Sequence, residues 1–149
     1  MKKLVIPVIA LLALACNNSV KKEDPLKAQA DSLYKEVMNG HDLAMPKSMK
    51  IPDLQKAAQK MIDSIATLPA KAKEAAAPLK AKLEELVNEL NYADNAMTKW
   101  MVEMNFDSSV NDLQQRVKYL MEEKVKVNKV KEAVLNSIAK ADSLLKAKL

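Results

Sequence analysis

The stretch LKAKLEELVNELNYADNAMTKWMVEM, residues 79–104, decides the fold. Leu79, Leu83, Leu86, Leu90, Ala93, Met97, Trp100 and Met104 recur at alternating steps of four and three, and every one is apolar. Lysines, glutamates and asparagines fill most of the places between them. That is the repeat of a helix burying one narrow stripe against other helices. Ala72 and Ala76 extend the series backward across Pro78, which predicts either a kink there or a later start.

The same repeat runs on both sides of this helix. Asp24-Pro25 is a start signal, with Asp as N-cap and Pro at the first helical position. From there Leu26, Ala30, Leu33, Val37, Gly40 and Ala44 keep phase. Lys47 interrupts, and Ile51, Leu54, Ala58, Met61 and Ile65 resume. The phase passes through Pro46 and Pro52, so the spacing predicts one long helix bent at those prolines, with two shorter helices in the same register as the alternative. Thr67-Leu68-Pro69 reads as a turn, and residues 105–108 as the next. Ser109 followed three places later by Asp112 resembles a capping box. The last helix reads Leu113, Val117, Leu120, Lys124, Val127, Lys131, Val134, Ile138, Ala141 and Leu145. Lys124 and Lys131 then lie along the seam with their ammonium groups extended to water. The expected fold is all-α: an antiparallel three-helix bundle of long, coiled-coil-like helices, its first helix bent at prolines, about 60 Å long.

Composition agrees. Ala, Leu, Lys, Glu and Arg supply half of the 149 residues, the usage of long helices. A single Gly excludes a glycine-rich phosphate loop. One His and one Cys exclude a zinc finger and an internal disulfide. The net charge of +5 comes almost wholly from lysines interleaved with acids, Arg116 being the lone arginine, and there are only five aromatics. That pattern is a solvated helix surface and argues against a nucleic-acid partner.

The first residues carry an address. Lys2 and Lys3 precede an apolar run from Leu4 to Ala15, the layout of a secretory signal peptide and too short to span a bilayer. Its end, Leu12-Ala13-Leu14-Ala15-Cys16, resembles a bacterial lipobox, although Ala13 stands where Leu is commonest. The expected organisation is a signal peptide over 1–15, a lipidated cysteine and tether over 16–24, and the bundle over 25–149. Cleavage removes Lys2 and Lys3, lowering the net charge from +5 to +3. Lipid on Cys16 makes the membrane the one definite partner. Neither an Asp after the cysteine nor an acidic run follows, so the expected place is the outer membrane, facing the periplasm.

Two segments stand apart from the heptads. Residues 36–49 and 93–104 hold six of the nine Met, the sole His and the sole Trp. Antiparallel pairing across the first turn sets His41 opposite Asn95 and Met38 opposite Thr98. The second turn adds Leu113, Val117, Leu120 and Met121 to the layer. The candidate ligand or metal layer is therefore His41, Met38, Met45, Met97, Trp100 and Met101. Packing alone accounts for such a layer, since Met fills irregular gaps beside aromatic rings. The chemical alternative is a soft-metal site for Cu(I) or Ag(I), which thioethers and imidazole favour, with the Trp100 ring facing the cation. Haem held by His41 and a Met, or a peptide or lipid groove, are further alternatives. No catalytic constellation is evident and the chain is expected not to be an enzyme. Glu36, Asp42, Asp94 and Glu103 read as solvated carboxylates, Glu84-Glu85 and Glu122-Glu123 as surface charge, and no Ser stands in a nucleophile elbow.

The string EVM..HD..MP..M over residues 36–49, followed by AD.AM..WM over 93–101, resembles a family of short Bacteroidota lipoproteins often labelled "viral A-type inclusion protein", a label describing coiled-coil similarity. Tyr119-Leu120-Met121-Glu122-Glu123 and Ser137-Ile138-Ala139-Lys140-Ala141 are compatible with it. Asn39-Gly40 departs from the more helical residues expected before the His, weakening the helix there by about 1 kcal/mol. The resemblance implies a helical, lipid-anchored envelope protein and no defined activity.

Overall fold

The computed structural model describes residues 24–146. The expected signal peptide over 1–15, Cys16 and the expected tether up to residue 23, and residues 147–149 lie outside the described residues. Within them the chain is all-α, with no strand among the described residues. Four helices follow one another: α1 (Pro25–Ser48), α2 (Ile51–Ala66), α3 (Ala70–Glu103) and α4 (Leu113–Lys146).

Asp24 caps α1 as its sequence implies. Its carboxylate accepts from the Leu26 N–H at 2.9 Å, and Pro25, with no N–H to leave unpaired, opens the helix. The expected single, bent first helix is two helices. Pro52 has no N–H for the Ser48 carbonyl and its ring pushes against that carbonyl, so the ladder stops and restarts with Pro52 in the tolerant first turn of α2. Met49 and Lys50 form the joint. The Lys50 N–H reaches back three residues to the Lys47 carbonyl at 3.0 Å, and Ser48 Oγ donates to the Met45 carbonyl at 2.8 Å. The seam passes through buried Ser48, and Lys47 is exposed. Pro46 sits inside α1 and Pro78 inside α3 without ending either.

The joint lets the first arm change partners. α1 packs chiefly on α4 and sparingly on α3, whereas α2 packs chiefly on α3, and α3 and α4 pack on each other. Side-chain size explains the lean. Gly40 faces α4, where a Cβ would stand 3.0 Å from Val127 Cγ1, so any larger residue would press Val127 back by a few tenths of an ångström. On the other flank the Trp100 ring of α3, the largest side chain of the chain, stands beside the His41 ring of α1.

In α3 the stripe is buried at Leu83, Leu86, Leu90, Ala93, Met97 and Trp100, with Met104 buried at the C-cap. Each leucine there contributes about 1.5–3 kcal/mol by leaving water. In α4 the buried positions are Val117, Leu120, Glu123, Val127, Val130, Val134, Ser137 and Ala141. Five of the expected positions hold: Val117, Leu120, Val127, Val134 and Ala141. The intervening ones do not, because Glu123, Val130 and Ser137 occupy the seam while Lys124, Lys131 and Ile138 are half-buried beside it. Lys124 pairs with Glu36 across α1 and α4.

The second turn is longer than expected. α3 stops at Glu103, and α4 begins only at Leu113. Asp112 is itself the cap: its carboxylate accepts from the Gln115 N–H at 3.1 Å, three residues on. Ser109 lies upstream with φ 56° and its carbonyl accepts from the Asp112 N–H. The expected Ser109–Asp112 box is thus displaced by three residues.

Candidate functional site

The break after α1 and the lengthened second turn set which residues meet in the His/Met/Trp layer. His41 projects from α1 toward α3. Its ring lies 5.7 Å from that of Trp100, tilted by 35°, five residues from the expected partner Asn95. Across the second turn Trp100 meets Glu123, and Met104 meets Tyr119, whose hydroxyl lies 3.4 Å from the Met104 sulfur. Met121 is 53% exposed and stands outside the layer. Leu113 belongs to the end of the bundle, beside Phe106 and Arg116.

The candidate residues divide by burial. Met97 and Trp100 are buried in the seam of α3. His41, Met38, Met45 and Met101 are half-buried at its edge. His41 Nδ1 lies 2.9 Å from the Asp42 carboxylate. With that nitrogen as the N–H donor, Nε2 carries the lone pair. Met45 packs on the core, and its sulfur lies 3.7 Å from Ser48 Oγ. Tyr92, Asn95, Ala96 and Lys99 of α3 and Lys126, Lys129 and Val130 of α4 border a groove beside Trp100, about 370 Å³ in volume.

Glu123 is the residue the sequence misplaces most. Read as surface charge, its side chain is 4% exposed. The Trp100 indole N–H donates to Glu123 Oε2 at 2.9 Å, and Lys126 Nζ donates to Oε1 at 2.7 Å. Each carboxylate oxygen therefore has a charge-assisted donor, which is what an ionised group needs to leave water. The bond to Glu123 raises the Lys126 ammonium above its usual 10.5, against the opposing effect of burial. Further along α3 and α4, Lys140 pairs with Glu89 at 2.8 Å and Glu85 at 3.1 Å, and the bond to Glu89 raises it likewise. The signal available in the sequence was position: Glu123 stands three residues after Leu120 and four before Val127, on the seam itself.

Among the described residues no group of three or more His, Cys, Asp and Glu is placed to hold a metal ion, and no helix is long and apolar enough to cross a membrane. Comparison with protein-family models, curated proteins and solved structures gives no match to this chain.

Proposed function

We propose that this chain is a non-enzymatic, lipid-anchored interaction or structural module of the cell envelope. It is held by Cys16 in the outer membrane and faces the periplasm as a three-arm bundle whose first arm is α1 and α2. The observation that carries the non-enzymatic part is the fate of Glu123. It is the one buried ionisable side chain among the described residues, and both its oxygens are spent on Trp100 and Lys126. A carboxylate held in this way fastens α3 to α4 and lies buried in the seam between them. The anchor rests on the lipobox-like end at Cys16, and the Bacteroidota lipoprotein resemblance supports the same assignment. Cell fractionation tests it: Cys16→Ser is expected to leave the membrane fraction or to remain unprocessed. A Ser variant processed and fractionating like the wild type refutes the anchor.

One observation favours a second reading, the binding of Cu(I) or Ag(I). The Asp42 carboxylate beside Nδ1 orients the His41 ring, the arrangement that accompanies ligating histidines. Met45 lies one turn on in α1, with Met97 and Met101 on α3. Titration of the reduced, unlipidated chain against a competing chelator tests it with wild type, Met97→Leu/Met101→Leu and His41→Gln. Leu conserves volume and removes the sulfur lone pair, so the fold survives and only ligation is lost. Wild-type affinity no tighter than micromolar leaves packing as the role of the layer.

A further inference from the structure

We propose that the end of the bundle formed by the 104–112 connection is a lipid-facing surface, on which the protein rests against the bilayer that anchors it. The proposal builds on the lipid-anchor reading of Cys16. Phe106 and Val110 are 49% and 50% exposed, and Val102, in the last turn of α3, is 81% exposed. Phe106 and Val110 border one depression, and all three stand at the same end of the bundle, its apolar rim.

It is the end from which the anchor leads. Phe106, Val110 and Leu113 border the same depression as Tyr34 and Lys27 of the first turns of α1. The described chain starts at Asp24, eight peptide steps after Cys16. Such a length reaches at most about 28 Å. A lipid on Cys16 therefore keeps this end near the headgroups, while the α2–α3 turn at the far end has no such tether. Tethering at that range makes even a weak apolar contact intramolecular, so two or three side chains suffice.

The rim is also held outward. The Arg116 guanidinium donates to the Ser108 carbonyl at 2.8 Å and lies 6.0 Å from the Tyr34 ring centroid. The Asn105 N–H donates to the Tyr119 hydroxyl at 2.8 Å, and the Asp107 N–H to Asn105 Oδ1 at 3.0 Å. A connection tied at these points cannot fold Phe106 inward. Both signs of charge surround it, with Lys27 and Arg116 against Asp31 and Asp107. The partner is therefore the apolar boundary of a bilayer rather than its charge, and the contact is expected to change little with salt.

The test uses the unlipidated chain from Cys16 onward, coupled through that thiol to a maleimide-headgroup lipid. The vesicles are phosphatidylethanolamine with a minority of phosphatidylglycerol, with ordinary or brominated acyl chains. Coupling imposes the anchor, so the outcome is independent of whether cells lipidate Cys16, which the Cys16→Ser fractionation reads separately. Trp100 is buried and supplies a constant background. Brominated chains are expected to quench at least half of the fluorescence added by Phe106→Trp, and none of that added by Lys71→Trp at the opposite end. Val110→Asp in the Phe106→Trp background is expected to abolish the quenching, with circular dichroism showing unchanged helix. Equal quenching at both ends, no quenching at Phe106→Trp, or full quenching retained with Val110→Asp overturns the proposal. So does concentration-dependent dimerisation of the uncoupled chain that Val110→Asp abolishes, which assigns the rim to a second copy.

Discussion

Trp100 and Glu123 should behave as a unit, and a double-mutant cycle measures it. Trp100→Phe removes the indole N–H and leaves one buried oxygen of Glu123 without its donor, since Lys126 serves the other. Breaking a buried charged contact from one side, together with the smaller ring, is expected to destabilise by about 3 kcal/mol. Glu123→Leu places an apolar side chain in an apolar seam but strands the indole N–H, for a net loss of about 1–2 kcal/mol. The double variant Trp100→Phe/Glu123→Leu has neither orphan, so its loss should fall short of the sum by about 2 kcal/mol, the coupling of a hydrogen bond to a charged group. Urea unfolding followed by circular dichroism reads these differences, and thermal unfolding repeats them at about 3–5 °C per kcal/mol for a chain of this size. Losses that add to within about 0.5 kcal/mol would refute the view that the pair holds α3 to α4.

Gly40→Ala gains helix propensity of about 1 kcal/mol but presses a methyl onto Val127, so it should destabilise, whereas in a Val127→Ala background it should stabilise. Leu86→Asp should unfold the protein because Leu86 is wholly buried, while Lys82→Asp, four residues back and exposed, should shift the urea midpoint negligibly. Lys126 and Lys140 are raised above 10.5 by their carboxylate partners, so the stability they add is complete below pH 10.5 and is lost as pH rises through their higher folded values. Urea midpoints should therefore hold level on the approach to pH 10.5 and fall beyond it, and Glu89→Gln should reduce the fall.

The α3 seam was legible in the sequence because leucines at strict spacing leave only one face to bury. In α4 two staggered stripes share Val117, Leu120, Val127, Val134 and Ala141, and beyond Leu120 differ in whether the residue before or after the midpoint turns inward. Valine against lysine favours Val130 over Lys131, but Glu123 against Lys124 and Ser137 against Ile138 give no such lead. The stripe was chosen by a partner invisible to periodicity, the indole N–H of Trp100 on another helix. The meeting of His41 with Trp100 was legible to within five residues. The error came from the joint at Met49 and Lys50, since heptad phase alone carries no information about where a proline bends a ladder and where it ends one. Gly40, read as a weak point of the helix, is a point of close approach, which only the facing Val127 reveals.

The joint at Met49 and Lys50 also divides how the molecule can come apart. The buried face of α1 is answered mainly by α4 and that of α2 mainly by α3, so α1 can release while the hairpin of α2 and α3 stays closed. Strain entering through the N-terminus is carried first by α1, whose grip depends on the tight approach of Gly40 and the wedge of His41 against Trp100. Amide exchange should accordingly separate the chain into two cooperative units, with α1 exchanging ahead of the rest. A chain drawn from its N-terminus would then lengthen by one helix before it lost its fold, and Met49 and Lys50, between α1 and α2, would serve it as a shock absorber.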